Sequence, residues 1–412
     1  NAKFAFQPDW PALTNLDIEL DFINDGLWMK TDGVNLGGVR ASNLTAVIPD
    51  YSKEKLLIDA DIKGPGKAVG PYFDETPLKD SLGATLQELQ LDGDVNARLH
   101  LDIPLNGELV TAKGEVTLRN NSLFIKPLDS TLKNLSGKFS FINGDLQSEP
   151  LTASWFNQPL NVDFSTKEGA KAYQVAVNLN GNWQPAKTGV LPAAVNEALS
   201  GSVAWDGKVG IELPYHAGAT YNVELNGDLK NVSSHLPSPL AKPAGEPLPV
   251  NVKVDGNLNS FELTGQAGAD NHFNSRWLLG QKLTLDRAIW AADSKTLPPL
   301  PEQSGVELNM PPMNGAEWLA LFQKGAAESV GGAASFPQHI TLRTPMLSLG
   351  NQQWNNLSIV SQPTANGTLV EAQGREINAT LAMRNNAPWL ANIKYLYYNP
   401  SVPKTHGDST NS

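Results

Sequence analysis

Residues 95–103 read VNARLHLDI, and every second residue in this stretch is apolar. Val95 and Ile103 belong to the apolar set, whereas Arg98 and His100 belong to the polar set between them. Successive side chains of a β-strand point to opposite faces of the sheet. The stretch therefore predicts a strand with one apolar and one polar face, which is typical of antiparallel sheets.

The same alternation recurs along most of the chain. It is found again in residues 16–22, 160–164, 173–179, 209–215, 221–225 and 250–254. Asn-Gly and Asp-Gly pairs, which tolerate the positive φ of tight hairpin turns, recur between such segments. The sequence thus predicts an all-β protein. We expect a long, twisted antiparallel sheet curled into an elongated apolar groove, with a few short helices.

Helices and breaks are few. The spacing of apolar residues and prolines predicts three short helices, over 77–89, 192–199 and 314–324. Two proline-rich stretches, near 236–249 and 297–312, interrupt the alternation, which resumes after each of them. We expect residues 1–400 to form one continuous segment in which these stretches are crossings or loops. The polar residues 401–412 are expected to form a disordered tail.

The composition excludes several classes of protein. The chain has 412 residues, no cysteine and a formal net charge of −11. Without cysteine there are no disulfides, no thiol catalysis and no cysteine-based zinc site. An acidic chain without a basic cluster is not expected to bind nucleic acid. No apolar run approaches the 18 residues of a membrane-spanning helix, and the strand-like start at residue 1 suggests a piece of a longer protein.

The sequence contains no recognisable catalytic motif. Its six histidines are scattered, and no two stand at a metal-ligand spacing such as His-x-x-x-His. Nucleophile elbows, phosphate loops and dinucleotide fingerprints are also missing. His100 shares the polar face of its strand with Arg98 and Asp102, which predicts a solvated or salt-bridged surface. We therefore expect no enzymatic activity, no cofactor and no metal.

Two interpretations of the apolar face remain open on periodicity alone. In a β-sandwich, two sheets bury their apolar faces against each other, about 10 Å apart. In a groove, one curved sheet leaves its apolar face open to a guest. A tandem-sandwich structural or adhesive surface protein is one alternative function. A carbohydrate-binding β-protein is another, with Trp155, Trp183 and Trp205 as a sugar platform.

Residues 105–165 carry a pattern that resembles a known family, and that resemblance favours the groove. Gly114, Val116, Leu118 and Asn120 form a segment of the type G-x-V-x-L-x-N. A segment with Leu132, Leu135, Gly137, Phe139, Phe141, Asn143, Gly144 and Leu146 follows, and then one with Leu151, Pro159, Leu160, Val162 and Phe164. These patterns resemble those of the AsmA-like and TamB-like bacterial envelope proteins. Residues 43–64, with the helix predicted after them, look like the YhdP-type members of that family.

The resemblance implies a function in lipid transport. Proteins of this family look like bridges that carry phospholipid tails in an apolar β-groove across the periplasm, while the headgroups face water. It implies phospholipid as the partner of this chain. It also implies an inner-membrane anchor in an N-terminal region upstream of the chain, a periplasmic location in a Gram-negative envelope, and partner proteins at the outer membrane or in the periplasm.

The residues expected to line the groove are the apolar-face residues of the alternating strands. They are Val116, Leu118, Phe139, Phe141, Trp155, Val162, Phe164, Val175, Val177, Leu179, Ile211, Leu213, Val223, Leu225 and Val252.

Overall fold

The structure is a computed structural model. It describes residues 19–23, 26–36, 38–68, 71, 74, 79, 83–327 and 334–400. The chain divides into two compact units. Unit 1 comprises Asn1–Trp183 and Ala204–Glu224, and unit 2 comprises Gln184–Val203 and Leu225–Ser412.

Strands dominate both units. The first twelve are β1 (Glu19–Ile23), β2 (Gly26–Leu36), β3 (Val39–Ile48), β4 (Lys55–Pro65), β5 (Leu89–Asp92), β6 (Asp94–Pro104), β7 (Thr111–Ile125), β8 (Ser130–Ile142), β9 (Asp145–Ser148), β10 (Leu151–Trp155), β11 (Gln158–Glu168) and β12 (Ala172–Trp183). The next eight are β13 (Leu199–Gly201), β14 (Val203–Pro214), β15 (Thr220–Asp228), β16 (Val232–Ser234), β17 (Pro249–Asn257), β18 (Ser260–Ala267), β19 (Asn271–Leu279) and β20 (Leu283–Ala291). The last eight are β21 (Gly305–Asn309), β22 (Met313–Asn314), β23 (Ala334–Ser335), β24 (Ile340–Leu349), β25 (Gln352–Thr364), β26 (Gly367–Gln373), β27 (Ile377–Arg384) and β28 (Leu390–Leu396).

Three short α-helices accompany the strands in the part of the chain that the structure describes. They are α1 (Ala84–Glu88), α2 (Ala193–Ala198) and α3 (Gly315–Ala327). The predictions for α2 and α3 are confirmed, and α1 lies inside the helix predicted over 77–89, part of which falls outside the described residues. The side chain of Asn314 accepts hydrogen bonds from the backbone N–H groups of Ala316 and Glu317, so it caps the first turn of α3.

The strands of unit 1 pair in antiparallel fashion, as predicted. β2 to β4 form a meander; β4 then pairs with β6, β6 with β7, and β7 with β8. β8 pairs with β10, and β10 to β12 continue the sheet. The all-β, mostly antiparallel fold class is therefore confirmed, with β13 and β16 as a separate two-stranded pair in unit 2.

Asparagines in left-handed conformation mark irregular points of these strands. Asn120, Asn134 and Asn143 each have φ 53°, in a region that asparagine enters at lower cost than most residues. Next to the first of them, the buried side chain of Asn121 donates hydrogen bonds to the carbonyls of Asp92 and Asp94, at 3.0 and 3.1 Å. These bonds tie the bulge of β7 to the turn between β5 and β6.

Unit 2 contains the exception to the antiparallel prediction. Its strands β17 to β20 and β24 to β28 are antiparallel, but β21 lies parallel to both β20 and β24. The two-residue strands β22 and β23 also pair in parallel, with β24 and β20 respectively. The stretch 297–312, predicted as a crossing or loop, contains this short strand. A parallel pair needs a crossover connection, and here the loop after β20 and the helix α3 supply the two crossovers.

The proline-rich stretches otherwise behave as predicted. Residues 236–248 contain turns and an isolated bridge but no extended strand. Residues 297–304 form a loop on the polar face of β19 and β20, where Asn274 donates a hydrogen bond to the carbonyl of Pro298 at 3.0 Å. The predicted tail, 401–412, lies outside the described residues, and the continuity of residues 1–400 as one elongated segment stays a prediction.

Candidate functional site

One face of the unit 1 sheet carries apolar side chains on strand after strand. In an antiparallel pair, residues opposite each other lie on the same face. The register sets Leu56 opposite Ile103 and Val116 opposite Phe139. Apolar residues of β10, β11 and β12 pair in the same way and extend this face. We call this set the apolar face of unit 1. Its members include Ala41, Ala46, Leu56, Ile58, Ala60, Val95, Leu101, Ile103, Val116, Leu118, Phe139, Phe141, Leu151, Ala153, Leu160, Val162, Phe164, Val175, Val177 and Leu179.

Part of this face is fully buried. We call it the sealed zone, and its residues are between 0% and 7% exposed. They are Val34, Ala41, Leu44, Ala46, Leu56, Ile58, Ala60, Leu101 and Ile103. These residues form an ordinary protein core.

A second part of the face is only partly covered. We call it the half-buried zone: Phe139, Phe141, Trp155, Val162, Phe164, Leu179, Trp183 and Trp205, all of intermediate exposure. They pack against a cluster of buried residues that includes Leu118 and Leu151. The rings of Phe139 and Phe164 lie 5.5 Å apart between centroids, so neighbouring strands contribute to one continuous surface.

Most of the predicted groove-lining residues meet in two clusters. Val116 and Leu118 are buried in the cluster beneath the half-buried zone, to which Phe139, Phe141, Trp155, Val162, Phe164 and Leu179 belong. Val175 is buried with Tyr173, and Val177, Ile211 and Leu213 pack against that pair. Val223, Leu225 and Val252 are half-buried on their strands outside these clusters. That these fifteen residues line a groove stays a prediction.

The opposite face of the same strands is polar and ion-paired. His100 Nδ1 lies 2.8 Å from Asp59 Oδ1, and Arg98 lies 2.9 Å from Asp61. Lys55 and Asp102 make a longer contact of 3.7 Å between the same two strands, β4 and β6. The prediction that His100 lies on a salt-bridged surface is therefore confirmed.

A row of aromatic rings marks one end of the half-buried zone. Trp155 and Trp183 are the last residues of β10 and β12, and Trp205 lies near the start of β14. The ring centroids of Trp155 and Trp183 are 6.4 Å apart, and those of Trp183 and Trp205 are 5.0 Å apart, both edge to face. Gly181 makes room for this row, because an added Cβ would lie 2.9 Å from the indole nitrogen of Trp183.

The three indole N–H groups of this row differ in their partners. Trp155 Nε1 donates to Ser130 Oγ at 2.7 Å, and Trp183 Nε1 donates to the carbonyl of Pro159 at 2.6 Å. Trp205 Nε1 is buried, and it has no acceptor among the residues that the structure describes. One polar group of the row is thus left unsatisfied in an apolar environment.

Tyr173 lies at the other end of β12. Its side chain is fully buried, and its hydroxyl donates to the carbonyl of Gly144 at 2.8 Å and lies 2.6 Å from Thr166 Oγ1. Burial raises the pKa of Tyr173 to about 12, against the smaller opposing effect of the hydrogen bond with Thr166. The phenol therefore stays neutral at physiological pH and serves as a structural hydrogen-bond donor.

In unit 2, a helix covers part of the apolar surface of the sheet. Trp318 of α3 packs against a buried cluster that includes Met310, Met313 and Leu347. Its indole nitrogen donates to the carbonyl of Ser238 at 3.0 Å, which ties the helix to the first proline-rich stretch. Phe322, one turn further along, is 66% exposed.

The sequence identified the apolar strands of the site but not the roles of three of its residues. The alternation and the aromatic pattern predict Trp183, Trp205 and Tyr173 as face or platform residues, and they predict no polar contact for any of them. The signal available for the tryptophans was their position at the ends of alternating segments. Their grouping depends on strand neighbours far apart in the chain, which periodicity does not give.

The fold and the site define a class of protein: a strand-rich chain with one polar, ion-paired sheet face and one apolar face that is partly open. Among the described residues there is no cluster of three or more potential metal ligands. Within that same part of the chain, no helix has the length and apolar character needed to cross a membrane.

The chain belongs to the YhdP family, because the family model described as "YhdP protein" matches residues 1–412. The resemblance found in the sequence is thereby confirmed. A curated relative from Escherichia coli (strain K12), "Intermembrane phospholipid transporter YhdP", is 98% identical over 412 residues. The match covers 100% of this chain and 32% of the relative, so the chain spans about a third of that protein. No solved structure matches the chain.

Proposed function

We propose that this chain conducts phospholipid between membranes by holding the acyl tails against its apolar face. The observation that carries the proposal is the half-buried zone, where large apolar side chains of one sheet stay partly uncovered. The name of the relative from Escherichia coli, intermembrane phospholipid transporter, supports the same conclusion.

The energetics of hydrocarbon in water fit this role. Transfer of one CH₂ group from water to an apolar environment is worth about 0.8 kcal/mol, so an acyl chain gains several kcal/mol on a Phe- and Val-lined wall. Phe141 and Val177 present such a wall without a charged group on the same face between them. The bound acyl chain also removes apolar protein surface from water, which adds to the favourable free energy of binding.

The uniformity of the wall suits movement along it. A deep polar pocket would bind one lipid position strongly and trap it, whereas a series of similar apolar contacts gives nearly equal binding at successive strands. In our proposal the charged headgroup stays in water, because burial of an unpaired phosphate would be costly. The ion-paired polar face then keeps the protein itself soluble on the other side of the sheet.

The proposal also includes a location. The chain is the periplasmic part of an inner-membrane-anchored protein of a Gram-negative envelope, and an N-terminal region outside this chain supplies the anchor. Proteins at the outer membrane or in the periplasm are its partners. The word "intermembrane" in the name of the relative supports this arrangement. The chain carries out no enzymatic reaction in this proposal and needs no cofactor or metal.

Two observations favour lipid transport over the alternatives. A sandwich needs a second sheet against the apolar face, and among the described residues the hydrogen-bonded pairings of β1 to β12 all belong to one sheet. A sugar platform needs an exposed flat ring, whereas Trp183 and Trp205 meet edge to face at 76° and are partly buried by each other.

Photo-crosslinking in cells tests the proposal. A photoreactive phenylalanine analogue at Phe141 or Val177 should yield phospholipid adducts of the full-length protein, because both positions face the apolar side. The matched controls are Ser140 and Asn178, the chain neighbours that face the polar side. Equal labelling at both kinds of position, or no lipid adduct at Phe141 and Val177, would contradict the proposal.

A charge on the wall tests transport directly. Val177→Asp should block phospholipid transport, because each passing tail would have to desolvate a carboxylate. Asn178→Asp adds the same charge to the polar face and should leave transport unchanged. Transfer of labelled phospholipid between inner and outer membrane vesicles, or its equivalent in cells, measures both variants.

A further inference from the structure

Helix α3 lies on the apolar surface of the unit 2 sheet. Its Trp318 packs against a cluster of buried residues in which Met310 is 5% and Met313 is 7% exposed. The first turn of the helix lies close to the strand beneath it, because a Cβ added to Gly315 would lie 2.8 Å from the carbonyl oxygen of Ser348. α3 therefore covers a stretch of apolar sheet and is fixed at its N-terminal end.

The apolar surface continues on both sides of the covered cluster. Trp290 of β20 and Ile359 of β25 adjoin the cluster. Residues opposite each other in antiparallel strands share a face, so the register extends this surface to Phe273 of β19 and to Ala372 of β26. Both of these side chains are half-buried. An acyl tail that moves along this face of unit 2 meets α3 in its path.

The remainder of α3 is held loosely. Leu319 is 49% and Phe322 is 66% exposed, so the helix gains little from burying these two side chains. Further along the helix, Lys324 forms an ion pair with Glu197 of α2, and the two side chains are 49% and 57% exposed. Exposed ion pairs contribute little to stability, and a helix of 13 residues is marginal without tertiary packing. Segments of this kind open at low cost in free energy.

We propose that α3 is a lid that opens about its first turn, so that acyl tails of phospholipid replace Trp318 on Met310 and Met313. The inference rests on the proposed function and adds a moving part to it. The lipid favours the open state, because only that state offers the cluster to a tail. We call the ion pair between Lys324 and Glu197 the latch, because it holds the lid closed.

A photoreactive methionine analogue tests the lid, since a diazirine side chain is close to methionine in size and the chain has five methionines. The 412-residue chain with the analogue at all five positions is mixed with vesicles of dioleoyl phosphatidylglycerol and irradiated. Mass spectrometry of the digested protein then maps the lipid adducts. Adducts at Met310 and Met313 report the open lid. Met383 of β27 is the internal reference, because it is half-buried and shares the face of Leu381 and Val370.

Charge exchange at the latch gives the matched variants. Lys324→Glu sets two carboxylates beside each other, so adducts at Met310 and Met313, relative to Met383, should rise about two- to fivefold. Glu197→Lys combined with Lys324→Glu restores opposite charges and should return the adducts to the wild-type level. Neither variant changes the cluster beneath the helix.

A covalent link tests the opposite direction. The chain has no cysteine of its own, so Glu197→Cys combined with Lys324→Cys provides the two thiols that a reducible bismaleimide joins. The linked protein should lose the adducts at Met310 and Met313 and keep those at Met383. A reductant that cleaves the link should restore them, and circular dichroism should show that every variant is folded.

The reference residue separates failure of the lid from failure of the proposed function. Adducts at Met383, with none at Met310 and Met313 in any variant, would overturn the lid and leave the proposed function intact. The same holds if adducts at Met310 and Met313 are equal in the wild type, Lys324→Glu and the linked protein. A rise in Lys324→Glu that the double exchange does not reverse would overturn the latch. The absence of adducts at all three methionines in every variant would overturn both proposals.

Discussion

The sealed zone and the half-buried zone lie on the same face of the same unit, yet only one of them is a closed core. Both arise from the same alternation of apolar and polar residues. Three of the nine residues of the sealed zone are alanines, whereas the half-buried zone is built from phenylalanine, tryptophan, valine and leucine. The residues of the sealed zone are buried by their neighbours, whereas the rings of the half-buried zone keep surface that their neighbours do not cover. Alternation decides which face a residue occupies, and its size and neighbours decide whether that face is closed.

A charge in each zone tests this difference and should give the largest effect. Ile58, in the sealed zone, is 3% exposed. Ile58→Asp should lower the free energy of unfolding by about 3–5 kcal/mol, because the carboxylate would be buried without a partner. Val162→Asp, in the half-buried zone, should cost about 1 kcal/mol. Urea denaturation of both variants measures the difference, and equal losses would mean that the two zones are one core.

A glycine beneath an aromatic ring should give the next largest effect. Gly114 lies opposite Phe141, and an added Cβ would lie 2.9 Å from the ring and closer still to the carbonyl of Arg98. Gly114→Ala should therefore destabilise the fold by about 2–3 kcal/mol through overpacking. Gly218→Ala is the control, because its Cβ would meet no atom within 4 Å. Thermal or urea unfolding that shows no difference between the two variants would count against the packing of Phe141 on Gly114.

Tyr173 tests a fully buried position next to the half-buried zone. Its folded-state pKa of about 12 lies above the ordinary 10.0, so its contribution is complete below pH 10 and is lost as the pH rises toward about 12. Tyr173→Phe should cost about 1 kcal/mol at pH 7, because the carbonyl of Gly144 loses one of its two donors and keeps only the hydroxyl of Thr166. It should also flatten the alkaline loss of stability, although burial raises the pKa of Tyr221 as well and part of that loss will remain.

Urea unfolding between pH 8 and pH 11 measures the alkaline effect. The reference is wild-type protein over the same range. If the free energy of unfolding falls with rising pH as steeply in Tyr173→Phe as in the wild type, the phenol does not resist ionisation in the folded state.

The smallest expected effect separates two tryptophans of the half-buried zone. Trp183→Phe removes a hydrogen bond to Pro159, and Trp205→Phe removes a donor that has no acceptor among the described residues. Because both exchanges remove the same atoms, the first should cost about 1 kcal/mol more in the lipid-free protein. Chemical denaturation after delipidation measures this difference. A larger loss for Trp205→Phe would indicate that its N–H is already paired in the lipid-free state.

The alternation predicted the strands and their faces because it is a local property. Val116 and Phe139 lie on the apolar face as expected, and His100 lies on the ion-paired polar face. The helices α2 and α3 were also predicted from local spacing. Each of these features depends on residues close together in the chain.

Features that depend on distant partners were not predicted. The parallel strand β21 lies in a proline-rich stretch that resembles a loop, and only its neighbours β20 and β24 define it as a strand. The meeting of Trp155, Trp183 and Trp205 joins residues that lie more than twenty positions apart in the chain. The difference between the sealed and half-buried zones also escaped prediction, since both share one pattern.

The cross-strand charges between β4 and β6 act as a register lock. A slip of two residues would leave every apolar side chain on its present side, so hydrophobicity alone does not oppose it. In one direction that slip would set Asp59 opposite Asp102 and Lys63 opposite Arg98, in place of the pairs Asp59–His100 and Asp61–Arg98. Like charges directly opposite each other are unfavourable. The wet side of the sheet thus helps to keep the strands of its oily side in alignment.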